Sequence, residues 1–90
     1  MAKRVETFNL HHQVQVAAVF ENGRIRPVWF DLEGVRIHVR EVSFTWAHQE
    51  GSAKILNFGV WDGQNTFELH FNTKSFAWSV GIVQETILLG

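Results

Sequence analysis

Residues 28–46 read VWFDLEGVRIHVREVSFTW, and residues 60–78 read VWDGQNTFELHFNTKSFAW. Set side by side at an offset of 32, six of the nineteen positions are identical: Val28/Val60, Trp29/Trp61, His38/His70, Ser43/Ser75, Phe44/Phe76 and Trp46/Trp78. Val35/Phe67, Ile37/Leu69 and Val39/Phe71 are apolar in both. Each stretch reads as a strand, a short turn and a second strand that ends in an aromatic cluster. Two copies give a pair of hairpins and not a solenoid, which needs at least three repeats to bury a continuous core. Shared alternation between two hairpins and a true duplication both account for the echo.

Working outward, residues 13–20, QVQVAAVF, alternate, and Asn22-Gly23 joins them to residues 24–30. Asn-Gly between two such runs marks a type I′ hairpin, whose central residues need positive φ. Pro27 cannot donate to a ladder, so it implies an outward-facing amide or a bulge. Residues 31–34 turn the chain into residues 35–46. There the apolar parity switches from Val35, Ile37 and Val39 to Val42, Phe44 and Trp46. A period of two that skips one residue predicts a bulge near Arg40 and Glu41, and hence a bent strand. Further strands follow at residues 54–61, 66–71 and 76–80, with turns at 62–65 and 72–75. Residues 82–89 favour a strand but tolerate a helix. The fold class is therefore all-β, a small antiparallel barrel or strongly bent sheet of six to seven strands. Residues 1–90 form a single domain, with 1–12 expected to fray. Phe44, Phe67, Leu69 and Trp78 are expected in the core.

Eight basic and nine acidic residues give a net charge of −1, which argues against a purely electrostatic partner. Without cysteine there is no disulfide, thiolate ligand or cysteine nucleophile. No apolar run reaches the length of a membrane span, and the first residues lack a signal-peptide core, so a cytoplasmic protein without membrane contact is expected. His11 and His12 are adjacent, and His38, His48 and His70 are isolated. None has metal-ligand spacing, so no metal and no cofactor is expected. Asp31 and Asp62 sit where turns use Asp, and Ser43 and Ser75 lack a nucleophile elbow. No catalytic residue is assigned, and the expectation is a protein that is not an enzyme.

Two faces invite binding. With a four-residue connection at 31–34, Phe30 opposes Val35, Val28 opposes Ile37 and Arg26 opposes Val39, which makes one face the core. The other face then carries Val16, Ala18, Phe20, Ile25 and Trp29, and it is apolar. A bulge at Pro27 would swap the faces; otherwise the C-terminal strand or a second copy must cover it. A homodimer that hides this face, in a protein-interaction or self-association module, is the first reading. The alternative is single-stranded nucleic-acid binding. Trp29 would stack a base while Arg24, Arg26, Arg36, His38 and Arg40 track the phosphates. Arg36 over Trp29 is equally an ordinary cation–π pair.

Residues 30–46 also spell F-x-L-E-G-x-x-x-x-V-x-E-V-x-x-x-W, and residues 63–71 spell G-x-x-x-F-E-L-x-F before Trp78. The chain in this region resembles a group of short bacterial β-proteins of unknown function, over about two-thirds of its length. The resemblance implies one compact bacterial β-domain and carries no activity.

Overall fold

The structure, a computed structural model, describes the backbone of residues 2–4, 7–83 and 87–89 and the side chains of residues 12–81. It is all-β. The strands are β1 (Ala2–Arg4), β2 (Thr7–Glu21), β3 (Arg24–Leu32), β4 (Val35–His38), β5 (Glu41–Glu50), β6 (Ala53–Trp61), β7 (Thr66–Asn72), β8 (Trp78–Val83) and β9 (Ile87–Leu89). Seven of them form one antiparallel sheet in the order β4-β3-β2-β8-β7-β6-β5, curled into a half-barrel, and β1 pairs with β9. Of the segment expected to fray, residues 2–4 and 7–12 run as strand, and the others lie outside the described residues. Residues 82–83 and 87–89 are strand, and residues 84–86 lie outside the described residues.

The ends of the sheet meet at a corner. After β4 the chain crosses in two residues from one edge of the sheet to the other. Val39 donates its N–H to the Val28 carbonyl on β3, and Arg40 donates to the Trp61 carbonyl on β6. The parity switch at residues 39–42, expected as a bulge near Arg40 and Glu41 in one bent strand, is instead a two-residue break between β4 and β5 at which the chain changes partner. β2 does the same on a larger scale: residues 7–14 pair with β8 and residues 15–21 with β3.

Turn chemistry follows the residues. Asn22 and Gly23 have φ of 52° and 74°, as a type I′ turn requires. The connection after β3 is shorter than the four residues expected. Leu32 pairs with Val35, and Glu33 and Gly34 form a second two-residue turn with φ of 50° and 81°. Phe30 therefore opposes Ile37, and Trp29 opposes His38. The Asp62 carboxylate accepts the N–H groups of Gln64 and Asn65 at 2.8 and 2.6 Å. Asn72 Oδ1 likewise accepts those of Lys74 and Ser75.

Two register shifts decide the faces. The first lies between Ala17 and Ala18 on β2, where Ala17 opposes Trp29 and Ala18 opposes Pro27, so that Val28 is the extra residue. Pro27 is buried, and Val14, Val16, Ala18 and Ile25 pack against the core. Arg26, expected inside opposite Val39, opposes Val19 and is exposed. The second shift lies between Val42 and Phe44 on β5, where Val42 opposes Val60 and Phe44 opposes Gly59. The extra residue, Ser43, turns Phe44 outward. Phe44 is 51% exposed, which corrects its expected place in the core. The core is Phe30, Phe58, Val60, Phe67, Leu69, Phe71, Trp78 and Val80, so Phe67, Leu69 and Trp78 lie where alternation puts them.

Candidate functional site

The outer face of β5 and β6 is built by the bulge at Ser43. Beyond it, Phe44, Trp46 and His48 point outward opposite Gly59, Asn57 and Ile55. Gly59 is the enabling residue: a Cβ there would lie 2.5 Å from the Phe44 ring, so the ring rests directly on the β6 backbone. Phe44 stacks on Trp46 with centroids 5.1 Å apart and planes 19° from parallel. Trp46 is 39% exposed, and Trp61, on the same face of β6, is 37% exposed. Three large aromatics thus stand in solvent on one sheet face.

Next to the rings lies a polar chain across β5, β6 and β7. Asn57 is 1% exposed. Its Nδ2 donates to His48 Nδ1 at 2.7 Å, and its Oδ1 accepts from His70 Nδ1 at 2.5 Å. His48 therefore carries its proton on Nε2 and donates it to Glu50 at 3.0 Å. His70 carries its proton on Nδ1, with Nε2 3.7 Å from the Glu68 carboxylate. Gly81 lies against the ring: a Cβ there would sit 3.4 Å from His70 Nε2. This network satisfies a buried amide that would otherwise cost about 1–3 kcal/mol. It also fixes the tautomers of both rings. A cleft of about 490 Å³ opens beside it, with His48, His70, Gln13 and Ser79 on its walls.

The structure redistributes the residues that the sequence singles out. Val16, Ala18 and Ile25 turn to the core side at the Val28 bulge. Phe20 shares that side at the open end, 63% exposed, with its ring edge-on to Phe71 at 6.1 Å. Trp29 lies on the opposite face, so the five do not form one surface. Bulge-swapped faces, one of the outcomes open from the sequence, describe this hairpin.

The basic set fares differently. Arg24 and Arg26 are in register with Glu21 and Val19, on the side of β2 and β3 that carries Trp29, and Arg36 and His38 extend that side on β4. The Arg36 guanidinium lies 3.5 Å from the Trp29 ring centroid and donates to both Asp31 carboxylate oxygens, at 3.0 and 3.3 Å. The hydrogen bond from Arg36 holds the Asp31 carboxyl below the usual range, and the Asp31 carboxylate raises Arg36. One face of Trp29 is thereby covered. Arg40 leaves this set at the corner and packs over Gly63, where a Cβ would lie 3.1 Å from its side chain.

The Phe44–Trp46 stack is hidden in the sequence because Val42, Phe44 and Trp46 keep an unbroken period of two across the bulge at Ser43. The one available signal was Gly59, a glycine inside an apolar strand, which marks a close approach by another group. Among the described residues, no group of three or more His, Cys, Asp or Glu side chains is arranged to hold a metal ion. No helix there is long and apolar enough to cross a membrane. The chain matches no protein-family model, and no curated protein or solved structure matches it at a significant level.

Proposed function

We propose that the chain is a non-enzymatic protein-interaction module that self-associates through the outer face of β5 and β6. The observation that carries this reading is the exposed stack of Phe44 on Trp46, with Trp61 on the same face. Rings already ordered against each other and against Gly59 lose little freedom on binding. Aromatic side chains of this kind carry most of the energy at protein interfaces. Burying them returns about 25 cal/mol per Å² of apolar surface. A second copy is the assigned partner. A net charge of −1 leaves little repulsion between two chains, and a two-fold axis brings the same patch on each copy together. The contact surface is thus Phe44, Trp46 and Trp61, in place of the set on the first hairpin. A bacterial setting, drawn from the resemblance, and a cytoplasmic one, in keeping with the lack of an apolar run of membrane-span length, belong to the same proposal.

Sedimentation at micromolar concentration tests it. The expected result is a dimer that Trp46→Glu converts to a monomer with unchanged circular dichroism. A monomeric parent chain, or a Trp46→Glu variant that stays dimeric, overturns the reading. Quenching of tryptophan fluorescence by a single-stranded oligonucleotide, relieved by salt, would favour the nucleic-acid alternative.

A further inference from the structure

The curled sheet does not close along its whole length. On one side of the gap, residues 24–27 of β3 pair only with β2, because the register of β4 reaches no further than Trp29. On the other side, among the described residues, β5 pairs with β6 alone. No backbone hydrogen bond joins β3 to β5 among the described residues. Between them lies a groove of about 1120 Å³, lined by Ile25 on one wall, Val42, Thr45 and Ala47 on the other, and Leu56 and Phe58.

The free edge of β5 is unusual for an edge. Natural edges are blunted by Lys, Pro, a bulge or a cover. β5 has its bulge at Ser43, but residues 44–50 then run in unbroken register with β6 and contain neither Lys nor Pro. All seven side chains are exposed. Along residues 44–49 its outward row of backbone donors and acceptors faces the groove, with no strand paired to it among the described residues. A small amphiphile would cover the apolar lining and leave that row to water. An extended peptide satisfies both at once, with backbone pairing to β5 and alternate side chains on the lining.

Charge narrows the peptide further. Arg24 and Arg26 also line the groove, and neither holds an ion pair or side-chain hydrogen bond among the described residues. Glu21, opposite Arg24, leaves this wall with an excess of one positive charge.

We propose that this seam receives a strand from a partner protein: an extended segment of about six residues, some 20 Å long, apolar at alternate positions and acidic between them. The strand pairs with the free edge of β5, lays its apolar side chains on Leu56 and Phe58, and directs its carboxylates towards Arg24 and Arg26. It continues the sheet beyond β5. Trp46, part of the face used for self-association, also lines the groove, whereas Phe44 and Trp61 do not, so the two surfaces meet at that one ring.

The test is titration of the ¹⁵N-labelled chain with acetyl-EVEVEVE-amide. Shifts are expected at the amides of Ile25, Arg26, Thr45 and Ala47. The double variant Arg24→Ala/Arg26→Ala, with its fold checked by circular dichroism, should bind about tenfold more weakly. The lysine counterpart acetyl-KVKVKVK-amide should show a similar loss. N-methylation of alternate peptide residues, which blocks one edge without touching the protein, should abolish binding. Absence of shifts at millimolar peptide overturns the proposal, as does equal binding of the lysine or N-methylated peptide. Displacement of the peptide by dodecanoate would show an amphiphile groove and overturn it equally. Repeating the titration in Trp61→Glu, outside the groove lining, separates the two readings: peptide binding should persist whether or not the chain self-associates.

Discussion

The two echoed stretches share six identities and do not share a structure. In residues 28–46, Trp29 opposes His38 across a two-residue turn. In residues 60–78, Trp61 opposes Thr66 across a four-residue turn, and His70 opposes Asn57. The aligned pairs accordingly diverge: Trp78 is 8% exposed inside the core, whereas Trp46 is 39% exposed on the outer face. His70 is bonded to a buried amide, and its counterpart His38 lies exposed at the sheet edge. A one-residue change of register exchanges the two sides of a strand, so identical residues acquire opposite duties. What differs is the insertion at Ser43 and the loop length, and neither is visible in an identity count.

The largest test of this contrast compares the paired tryptophans. Trp78→Ala should cost about 3–5 kcal/mol, since the ring packs on Phe58 and Phe71 with centroids 5.6 and 4.8 Å away. Trp46→Ala should cost the folded chain about 0.5–1.5 kcal/mol, the value of a lost ring stack. Equal losses in chemical denaturation would restore the two halves to equivalence.

The histidines give the next test. Asn57→Ala strips His70 Nδ1 and His48 Nδ1 of their partner on a buried position, and should cost about 1–3 kcal/mol. His38→Ala, on the other half, should leave the melting temperature within a degree or two, as surface changes usually do. A thermal melt of both variants decides it.

The turns come third. Gly34→Ala should cost about 1 kcal/mol or somewhat more, because φ is 81° and nothing lies near the added Cβ. Gly63→Ala combines φ of 108° with the Arg40 side chain 3.1 Å away, so it should cost more than Gly34→Ala. The reverse order in denaturant midpoints would mean that Arg40 moves aside freely.

The smallest effect belongs to the Asp31–Arg36 pair, which only the first half contains. The pairing lowers the Asp31 pKa in the folded chain from its ordinary 3.8. Its contribution is therefore present above the unfolded value and is lost as pH falls through the lower, folded one. Both groups are exposed, so the acid side of the stability curve should move only slightly in Arg36→Ala. A large shift of the acid midpoint would show that the pair does more than cover Trp29.

Much of the architecture could be read from alternation and turn residues. Asn22-Gly23 placed the first hairpin, and Phe67, Leu69 and Trp78 fell on the buried side because β7 and β8 run without interruption. Pro27 pointed to a bulge, which the structure places at the adjacent Val28. Faces failed where nothing in the side chains announces an extra residue. Ser43 is an ordinary strand residue, and its effect is recorded only on the neighbouring strand, at Gly59. The extent of β2 was hidden for a different reason. Residues 7–12, TFNLHH, carry weak alternation, and the strand they join, β8, lies some seventy residues further along. Local pattern cannot report a partner that distant.

That long span has a consequence for how the chain is made. Thr7 pairs with Val83, so residues 7–14 leave the ribosome well before the β8 residues that complete their ladder. The β2–β3–β4 meander can assemble early, because its pairings are local. The N-terminal half of β2 then stands as a bare template until β8 arrives. Topologies dominated by such distant pairings fold over milliseconds to seconds. During that interval the exposed half-strand is the segment most open to capture by another nascent copy, which makes synthesis rate and chain crowding the conditions that decide its yield.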